Sequence, residues 1–546
     1  MTAARVVGSH SRRGLVLRSV ATAALALLSL VTWALASPVG SSPDDDFHIA
    51  NIYCIHDSQT CRSDDATWPQ GTVGWLPDYR DRDLAVYGAV KETYPDLWLY
   101  PHPRQLPCYI LNGGILLSGD ASQSANCLNA VDPAANSPAS VDDLDYYPSL
   151  NYRLLSVFTQ DTIRESVVAW RLVTLAIVVA LATGSLLLSL ASWRRPLAVA
   201  WLVASMPLGM FLFASHNPSA LAIAATAACV GPGVALLRDP WRPLPQLPRV
   251  AFLVVCLLLV VGSRNEGLGY LAFAAVLIML LGLRRASRRE LLVLGVPAMG
   301  AAILMALLGL WRQPVSLIAS AMETVSFEGF WDLLVQAGKF LSASYSTSLG
   351  WLEIVLPHSV TVPAAAAFWG TTAVGVGRVD RRKTAAVLVM AAGLVALPFA
   401  IELTTGNGIQ ARYYLPLTFL LVIAAVSPVT KRSPAPSRVQ WWGLAAALLI
   451  ANTVALLWVT VRYVRGIGAG TMSPPGLFDA GVPGWWWQHW LSPATNWAVG
   501  SLAYAALLFL LLPLAAGAAR DGATDVDPMA PLPHPSPVSR TESTQA

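Results

Sequence analysis

The sequence predicts an all-α, polytopic integral membrane protein with about twelve transmembrane helices and one large outer loop after the first helix. Of its 546 residues, 55% are hydrophobic and only 12% are charged, whereas soluble domains carry roughly 25% charged residues. Apolar windows of about 18 or more residues, enough to cross about 30 Å of hydrocarbon, recur along the chain. Basic clusters occupy every second connection between these windows, as expected of cytoplasmic loops.

The predicted crossings follow the apolar windows in chain order and are interpreted as transmembrane helices. They lie at 16–36, 167–190, 197–214, 218–237, 249–263, 268–283, 291–310, 358–377, 384–401, 413–428, 441–461 and 497–517. The windows at 249–263 and 268–283 are short, and together they could instead form one broken re-entrant hairpin. Either alternative leaves the later crossings with the same orientation.

Basic residues set the predicted orientation, because cytoplasmic loops are enriched in Lys and Arg. The clusters lie at 12–13, 194–195, 238–249, 284–289, 378–383 and 431–438. We therefore expect these segments and both termini to be cytoplasmic. The first window ends in the small residues Ala34 and Ala36 and also fits a cleavable secretory signal, so its removal stays an open alternative.

The chain divides into four predicted parts. A cytoplasmic N-terminus and first helix (1–36) precede a large extracytoplasmic loop (37–166), a transmembrane bundle (167–517) and a cytoplasmic tail (518–546). The bundle carries three further outer loops, at 311–357, 402–412 and 462–496. The tail is rich in Pro, Ser, Thr and Asp, a composition typical of disordered segments.

The large outer loop concentrates acidic residues and cysteines. It holds 18 of the 32 acidic residues against seven Lys and Arg, and four of the six cysteines: Cys54, Cys61, Cys108 and Cys127. An even number of cysteines in an exported loop suggests disulfides. Three pairings are open, and the local one, Cys54–Cys61 with Cys108–Cys127, is favoured because it closes the shortest loops.

Three consecutive aspartates, Asp44 to Asp46, directly follow the first helix. They could form a solvated acidic cap at the membrane surface. However, acidic residues contribute little to topology, and clustered carboxylates disfavour one another's ionisation, which suits a general base. His48 comes four residues after Asp44 and lies on the same face if the segment is helical.

Two further polar groups lie at predicted outer ends of helices. Gln410, Arg412 and Tyr413 lie at the mouth of the tenth crossing; they form an ordinary interfacial belt or, because guanidinium binds phosphate oxygens well, a lipid-phosphate site. Arg264, between two crossings, either pairs internally with Glu266 or contacts substrate.

Aromatic residues cluster where the large loop returns to the membrane. Tyr147 and Tyr152 either anchor the chain at the interface or line a groove for an isoprenoid chain or a sugar. The Trp-rich segment 484–490 offers the same choice between an interfacial belt and a platform for sugar rings. No motif in the sequence suggests nucleic acid binding.

Four short motifs together resemble the DUF2142 family of bacterial membrane proteins. "PDDDFH" (43–48) resembles its Pro-Asp-Glu-x-x-His motif, "YYPSLNY" (146–152) its Pro-Pro-Leu-Tyr-Tyr segment, "NPS" (217–219) its Asn-Pro-Asp, and "QARYYLP" (410–416) its Gln-Gly-Arg-Tyr-Leu-Leu-Pro. The motifs occur in the family's order, between about residues 40 and 430, with matching topology.

That family resembles the GT-C superfamily of integral-membrane glycosyltransferases, which use polyprenyl-phosphate sugars as donors and a carboxylate in the first outer loop. By this resemblance, Asp44, Asp45 and His48 correspond to the family's Asp, Glu and His, and Gln410 and Arg412 to its Gln and Arg. Three positions depart from the pattern: Asp45 is shorter than Glu, Asn151 replaces a Tyr, and Ser219 replaces an Asp. The first departure leaves open which aspartate is the base, with a slight preference for Asp45 because it takes the place of the family Glu.

The resemblance implies a glycosyltransferase that acts at the outer face of a bacterial plasma membrane in cell-envelope glycan assembly. The donor would be a polyprenyl-phosphate sugar and the acceptor a glycan, lipid or protein. Three groups of residues follow: catalytic Asp44, Asp45 and His48; phosphate-binding Arg412, Gln410 and Arg264; and groove-lining Tyr147, Tyr152 and Tyr413. Asp44 and Asp45 could bind Mg²⁺ or Mn²⁺, but some GT-C enzymes resemble metal-independent catalysts, so the need for a metal stays open.

Two other function classes stay open on the sequence alone. A transporter or flippase of lipid-linked sugars would carry ionisable residues at mid-membrane and broken helices in repeats. The predicted helix interiors are almost free of charge, which favours catalysis at the interface. A non-catalytic envelope assembly factor would leave the Asp and Arg residues without a role.

Overall fold

The computed structural model describes residues 3–55, 125, 147–160, 162–239, 243–283, 349–350, 354–376, 381–405, 410–428, 437–466 and 491–521. Over these ranges every regular element is an α-helix, and the β-type pairing is an isolated bridge between Leu349 and Ile354. The predicted all-α class is therefore confirmed.

The helices of the described ranges are numbered here in chain order. They are α1 (Ala3–Ala36), α2 (Asp45–Cys54), α3 (Leu150–Ser156), α4 (Ile163–Leu188), α5 (Ala191–Ser205), α6 (Leu208–Phe213), α7 (Pro218–Arg238), α8 (Pro243–Ser263), α9 (Gly267–Gly282), α10 (His358–Val376), α11 (Arg381–Thr405), α12 (Ala411–Val426), α13 (Arg438–Arg465) and α14 (Pro493–Asp521). Within the described ranges, seven helices are long and apolar enough to cross a membrane, and α9 and α12 are shorter apolar helices. The protein is a polytopic membrane protein, and about twelve crossings is compatible with these helices.

The helix ends follow from local sequence. Asn217 accepts a hydrogen bond from the Ser219 amide, and Pro218 occupies the first turn, so α7 begins where its apolar window begins. A capping box of Ser437 and Gln440 starts α13 in the same way. The single crossing predicted at 197–214 is instead two helices. Pro207, which lacks an amide hydrogen, interrupts the helical hydrogen bonds between α5 and α6.

The windows predicted at 249–263 and 268–283 form two separate helices, α8 and α9. Near the start of α9, the Tyr270 hydroxyl donates to the carbonyl of Tyr413 at the start of α12. At the end of α9, Gly282 lies so close to Leu237 of α7 that a Cβ atom would come within 2.8 Å of its side chain. Because α9 extends from one end of the bundle to the other, two crossings are favoured over a re-entrant hairpin.

The last helix differs from its prediction. α14 continues to Asp521, so residues 518–521 are helical rather than part of a disordered tail. The predicted crossing at 291–310, the segment 484–490, most of the loop 37–166 and residues 522–546 lie outside the described residues.

Two helices form the centre of the bundle. α7 is buried along most of its length and packs against α4, α8, α9 and α12. Its many small residues, among them Gly231 and Gly233, let neighbouring side chains approach its backbone closely. α12 is also buried and packs against α5, α10 and α11. The first helix, α1, packs against α4 and α14 and is part of the same bundle.

The bundle has two chemically different ends. At one end, the residues after α1 contact the starts of α7 and α12, through Asn217 and Arg412; we call this the carboxylate end. At the other, Arg238 and Arg249 bind carbonyls at the ends of α9 and α4; we call this the basic end. The aspartates and the basic clusters therefore lie at opposite ends of the bundle, as the alternation of basic clusters along the sequence predicts.

Candidate active site

The aspartate triplet forms the start of α2. Asp44 is the residue before its first turn and has a left-handed backbone, with φ 60° and ψ 23°. Such a conformation is unusual for any residue but glycine and requires support from the surrounding structure. The His48 amide donates to the Asp44 carbonyl at 2.9 Å, so the segment is helical and both residues belong to one turn.

Asp44 forms an ion pair with Arg412, 368 positions later in the chain. Its Oδ2 atom accepts a hydrogen bond from Arg412 Nη2 at 2.5 Å. The arginine side chain is 4% exposed and the aspartate side chain 17% exposed. The pair therefore joins the start of α2 to the start of α12, and Asp44 is the member that reaches solvent.

Asp45 points to a different neighbour. Its Oδ2 atom accepts a hydrogen bond from the Ser42 amide at 2.9 Å, and its Oδ1 atom lies 3.1 Å from His216 Nε2. The side chains of Asp45 and His216 are both fully buried. Since the carboxylates of Asp44 and Asp45 diverge, they do not converge on one cation. No group of three or more metal-type side chains occurs in the described ranges.

Two histidines lie beside the aspartates. Burial lowers the pKa of His216 well below its ordinary value, and Arg171 and His48 lower it further. His216 is therefore neutral near pH 7 and can direct an N–H toward Asp45. His48 is buried, and its Nδ1 atom lies 2.9 Å from the hydroxyl of Tyr152. Burial raises the pKa of Tyr152, so its phenol stays protonated.

Arg264 forms a second arginine centre next to Arg412. Its Nη2 atom lies 2.6 Å from Glu266 Oε1, which is the internal pair that the sequence left as an alternative. Its guanidinium also lies over the rings of Tyr147, at 4.7 Å, and Tyr413, at 5.2 Å. Arg412 lies 5.4 Å from the Tyr413 ring. Both cations therefore lie against the ring of Tyr413.

Within the described part of the chain, several donors of these arginines lack an acceptor. Nε and Nη1 of Arg412 and Nη1 of Arg264 are buried and have no hydrogen-bond partner among the residues that the structure describes. Burying an N–H group of a cation without an acceptor costs free energy. Asp44, Tyr147 and Tyr413 form a partly exposed lip beside these donors. The arrangement is suited to binding an oxyanion.

The structure places the predicted residues in two groups. Asp44, Arg412, Arg264, Tyr147 and Tyr413 lie together at the lip. Asp45, His48 and Tyr152 are fully buried behind it.

The remaining predicted residues do not belong to either group. Gln410 is the half-buried residue before α12. The side chain of Cys54, and Cys61, Cys108 and Cys127, lie outside the described residues, so the disulfides stay a prediction. Cys229 and Cys256 are buried free cysteines.

Three residues of this end were not among the predicted site residues: Arg171, His216 and Asn217, the last of which had been noted only as part of the "NPS" motif. Asn217 donates to the Pro43 carbonyl at 2.8 Å, and Arg171 binds the segment after α1. A signal for Arg171 was available, because an arginine within an apolar crossing is rare and usually functional. The only signal for His216 in the sequence was its position just before a helix start.

Comparison with known proteins gives one match. A family model described as predicted membrane protein (DUF2142) matches residues 27–422, which is more than half of the chain. The matched range runs from α1 through most of α12, and so contains Asp44, His216, Arg264 and Arg412. No curated protein and no solved structure matches the chain.

Proposed function

The chain belongs to the DUF2142 family of predicted membrane proteins, and we propose that it is a glycosyltransferase. In this proposal it transfers a sugar from a polyprenyl-phosphate donor to a glycan, lipid or protein acceptor on the extracytoplasmic side of a bacterial plasma membrane. The carboxylate end is the active site, and the reaction contributes to cell-envelope glycan assembly.

One observation carries the proposal: the pair of buried arginines with unused donors next to a partly exposed carboxylate. Arg412 and Arg264 are 5% and 3% exposed, and each already has one carboxylate partner. Phosphate oxygens would satisfy the remaining N–H groups, since guanidinium binds phosphate with strong, directional hydrogen bonds. The aromatic lip of Tyr147 and Tyr413 is suited to packing against a sugar ring or the first isoprene unit.

The geometry favours Asp44 over Asp45 as the base. A general base must reach the proton that it removes, and Asp45 is fully buried against Ser42 and His216. Asp44 reaches the surface and lies beside the arginine that would hold the phosphate. This reverses the slight preference for Asp45 that the family Glu suggests.

The proposed step is a substitution at the anomeric carbon. The acceptor hydroxyl gives its proton to the Asp44 carboxylate and its oxygen bonds to the anomeric carbon. The bond from that carbon to the phosphate oxygen breaks, and the polyprenyl phosphate leaves with the electron pair. Arg412 and Arg264 stabilise the negative charge of the leaving phosphate.

Transfer of labelled sugar tests the proposal. Purified protein in nanodiscs is given polyprenyl-phosphate hexoses and pentoses labelled in the sugar, with short envelope glycans as acceptors. We expect labelled product and free polyprenyl phosphate. Asp44→Asn is expected to lower turnover by about 10²–10⁴, the usual effect of losing a general base, while retaining most donor binding.

Asp239→Asn is the matched control, because this aspartate also pairs with an arginine, Arg249, but at the basic end. It should leave turnover unchanged. If intact lipid-linked sugar crossed the bilayer of reconstituted vesicles without cleavage, the protein would be a flippase and the proposal would be wrong. If a folded Asp44→Asn variant had normal turnover, Asp44 would not be the general base.

A further inference from the structure

A buried arginine holds the segment that leads from α1 to the aspartates. Arg171 lies near the start of α4 and is 1% exposed. Its Nη1 atom donates to the carbonyls of Ala34, at 2.9 Å, and Ser37, at 2.5 Å. Its Nη2 atom donates to the Pro38 carbonyl at 2.7 Å and to Ser41 Oγ at 3.2 Å. One guanidinium thus contacts four oxygens over eight consecutive residues.

These contacts fall where the backbone needs support. The last carbonyls of a helix have no partner within the helix, and a positive charge there is favourable. Immediately afterwards the chain adopts two left-handed residues, at Gly40 and Asp44. Asp44 has a side chain, so its left-handed conformation persists only if the surroundings fix it.

The rest of the segment is fixed from a second direction. Asn217 holds the Pro43 carbonyl, and the side chain of Asp45 holds the Ser42 amide. Arg171 fixes residues 34–41, and these two contacts fix residues 42–43. The backbone that leads to Asp44 is therefore held largely by α4 and by the start of α7, neither of which carries Arg412 or Arg264.

We propose that Arg171 is a positioning residue that acts through Asp44, by fixing residues 34–41 so that the Asp44 carboxylate meets Arg412. The inference rests on the proposed sugar transfer for its kinetic consequence, but not for its structural one. The phosphate-binding arginines lie at the start of α12 and in the turn between α8 and α9, so donor binding should not depend on Arg171. Turnover should depend on it, since a misplacement of about 1 Å can cost about 10²-fold.

The kinetic experiment compares Arg171→Gln and Arg171→Lys with the wild type. Arg171→Gln should lower kcat roughly 10²-fold and change the dissociation constant for polyprenyl phosphate less than about threefold. Arg171→Lys should recover only part of kcat, because a point charge lacks the planar fork that contacts several oxygens. In an Asp44→Asn background, Arg171→Gln should have little further effect. The proposal would be wrong if Arg171→Gln lowered kcat as strongly in the Asp44→Asn background as in the wild type. It would also be wrong if Arg171→Gln weakened donor binding as much as it lowered kcat.

The structural experiment measures backbone hydrogen exchange of residues 36–46 in nanodiscs. Arg171→Gln should raise the hydrogen-exchange rate of this segment by about tenfold or more, while the rest of α4 keeps its protection from exchange. Thr174→Val is the matched control, because Thr174 is also buried, one turn further along α4; it should behave as the wild type.

The two experiments separate the two proposals. If the wild type transfers no sugar, the proposed function fails, whereas the exchange measurement still decides whether Arg171 fixes the segment. Unchanged exchange in residues 36–46 would overturn the inference even if activity falls. Where Arg171→Gln does not fold, Arg171→Lys carries the same measurements.

Discussion

The arginines at the two ends of the bundle meet different partners. At the basic end they donate to carbonyls at the ends of helices: Arg249 to Leu188 at 2.9 Å, and Arg238 to Leu281 at 3.1 Å. Lys383 does the same with the Ser427 carbonyl at 3.3 Å. Arg249 also pairs with Asp239, whose side chain is 37% exposed. Such cations complete helix ends and complement the helix dipole.

At the carboxylate end, Arg412 and Arg264 pair with carboxylates, lie over tyrosine rings and retain unused donors. Arg171 is intermediate, since it binds carbonyls at the end of α1 but does so next to the aspartates. The difference shows that the role of an arginine near a membrane surface is indicated by its partners and not by its position alone. Those that bind carbonyls hold helices, and those with spare donors can bind a ligand.

The largest expected difference between the ends is in stability. Arg412→Met leaves the carboxylate of Asp44 largely buried without its cation, which should cost about 3 kcal/mol. Arg249→Met leaves Asp239 without its cation. Because this side chain is 37% exposed, water still solvates it, and the change should cost less than about 1 kcal/mol. Thermal unfolding in one detergent measures both. Equal losses would mean that burial does not separate the two ends.

A smaller difference is expected in ligand binding. Arg412→Lys keeps the positive charge but loses the planar fork, so binding of polyprenyl phosphate should weaken roughly tenfold to a hundredfold. Arg249→Lys, the matched change at the basic end, should bind as the wild type does. Binding of a labelled lipid to protein in nanodiscs provides the measurement. If both variants bound normally, the unused donors of Arg412 would have no role in recognition.

The smallest difference concerns pH. His216 has a folded pKa below its unfolded value of about 6.5. Below about pH 6.5 the unfolded chain takes up a proton there that the folded chain does not, so stability is retained above this pH and lost below it. Between about pH 7.5 and 5.5 the loss should be about 1 kcal/mol.

His216→Gln should remove this part of the pH dependence. His358→Gln, a change at an exposed histidine at the start of α10, should leave it intact. The test is to measure the unfolding temperatures of both variants and of the wild type at about pH 7.5 and pH 5.5. The same pH slope in His216→Gln and in the wild type would contradict the assignment.

The sequence predicts the helices well because hydropathy acts over whole windows. The crossing predicted at 218–237 is α7, Pro218–Arg238, and the window at 358–377 is α10, His358–Val376. The break within 197–214 depends on one proline, and a window average does not detect a single missing hydrogen-bond donor.

The site was only partly predictable, because side-chain directions depend on distant contacts. The four motifs singled out Asp44 and Arg412, which the fold brings together. No periodicity indicates that consecutive aspartates diverge, since that follows from the left-handed residue and from His216. Arg171 lies in a stretch read as a uniform apolar crossing, so its contacts to the end of α1 could not be inferred.

The left-handed backbone of Asp44 carries a local strain that its ion pair with Arg412 outweighs. Glycine adopts this conformation at no steric cost, whereas a residue with a Cβ atom is strained by about 1 kcal/mol. Asp44→Gly would relieve the backbone but remove both the carboxylate and its ion pair with Arg412. Leaving the buried Arg412 without its carboxylate costs about 3 kcal/mol, more than the strain that glycine relieves. The ion pair alone therefore retains a strained residue at this turn, before any requirement of activity.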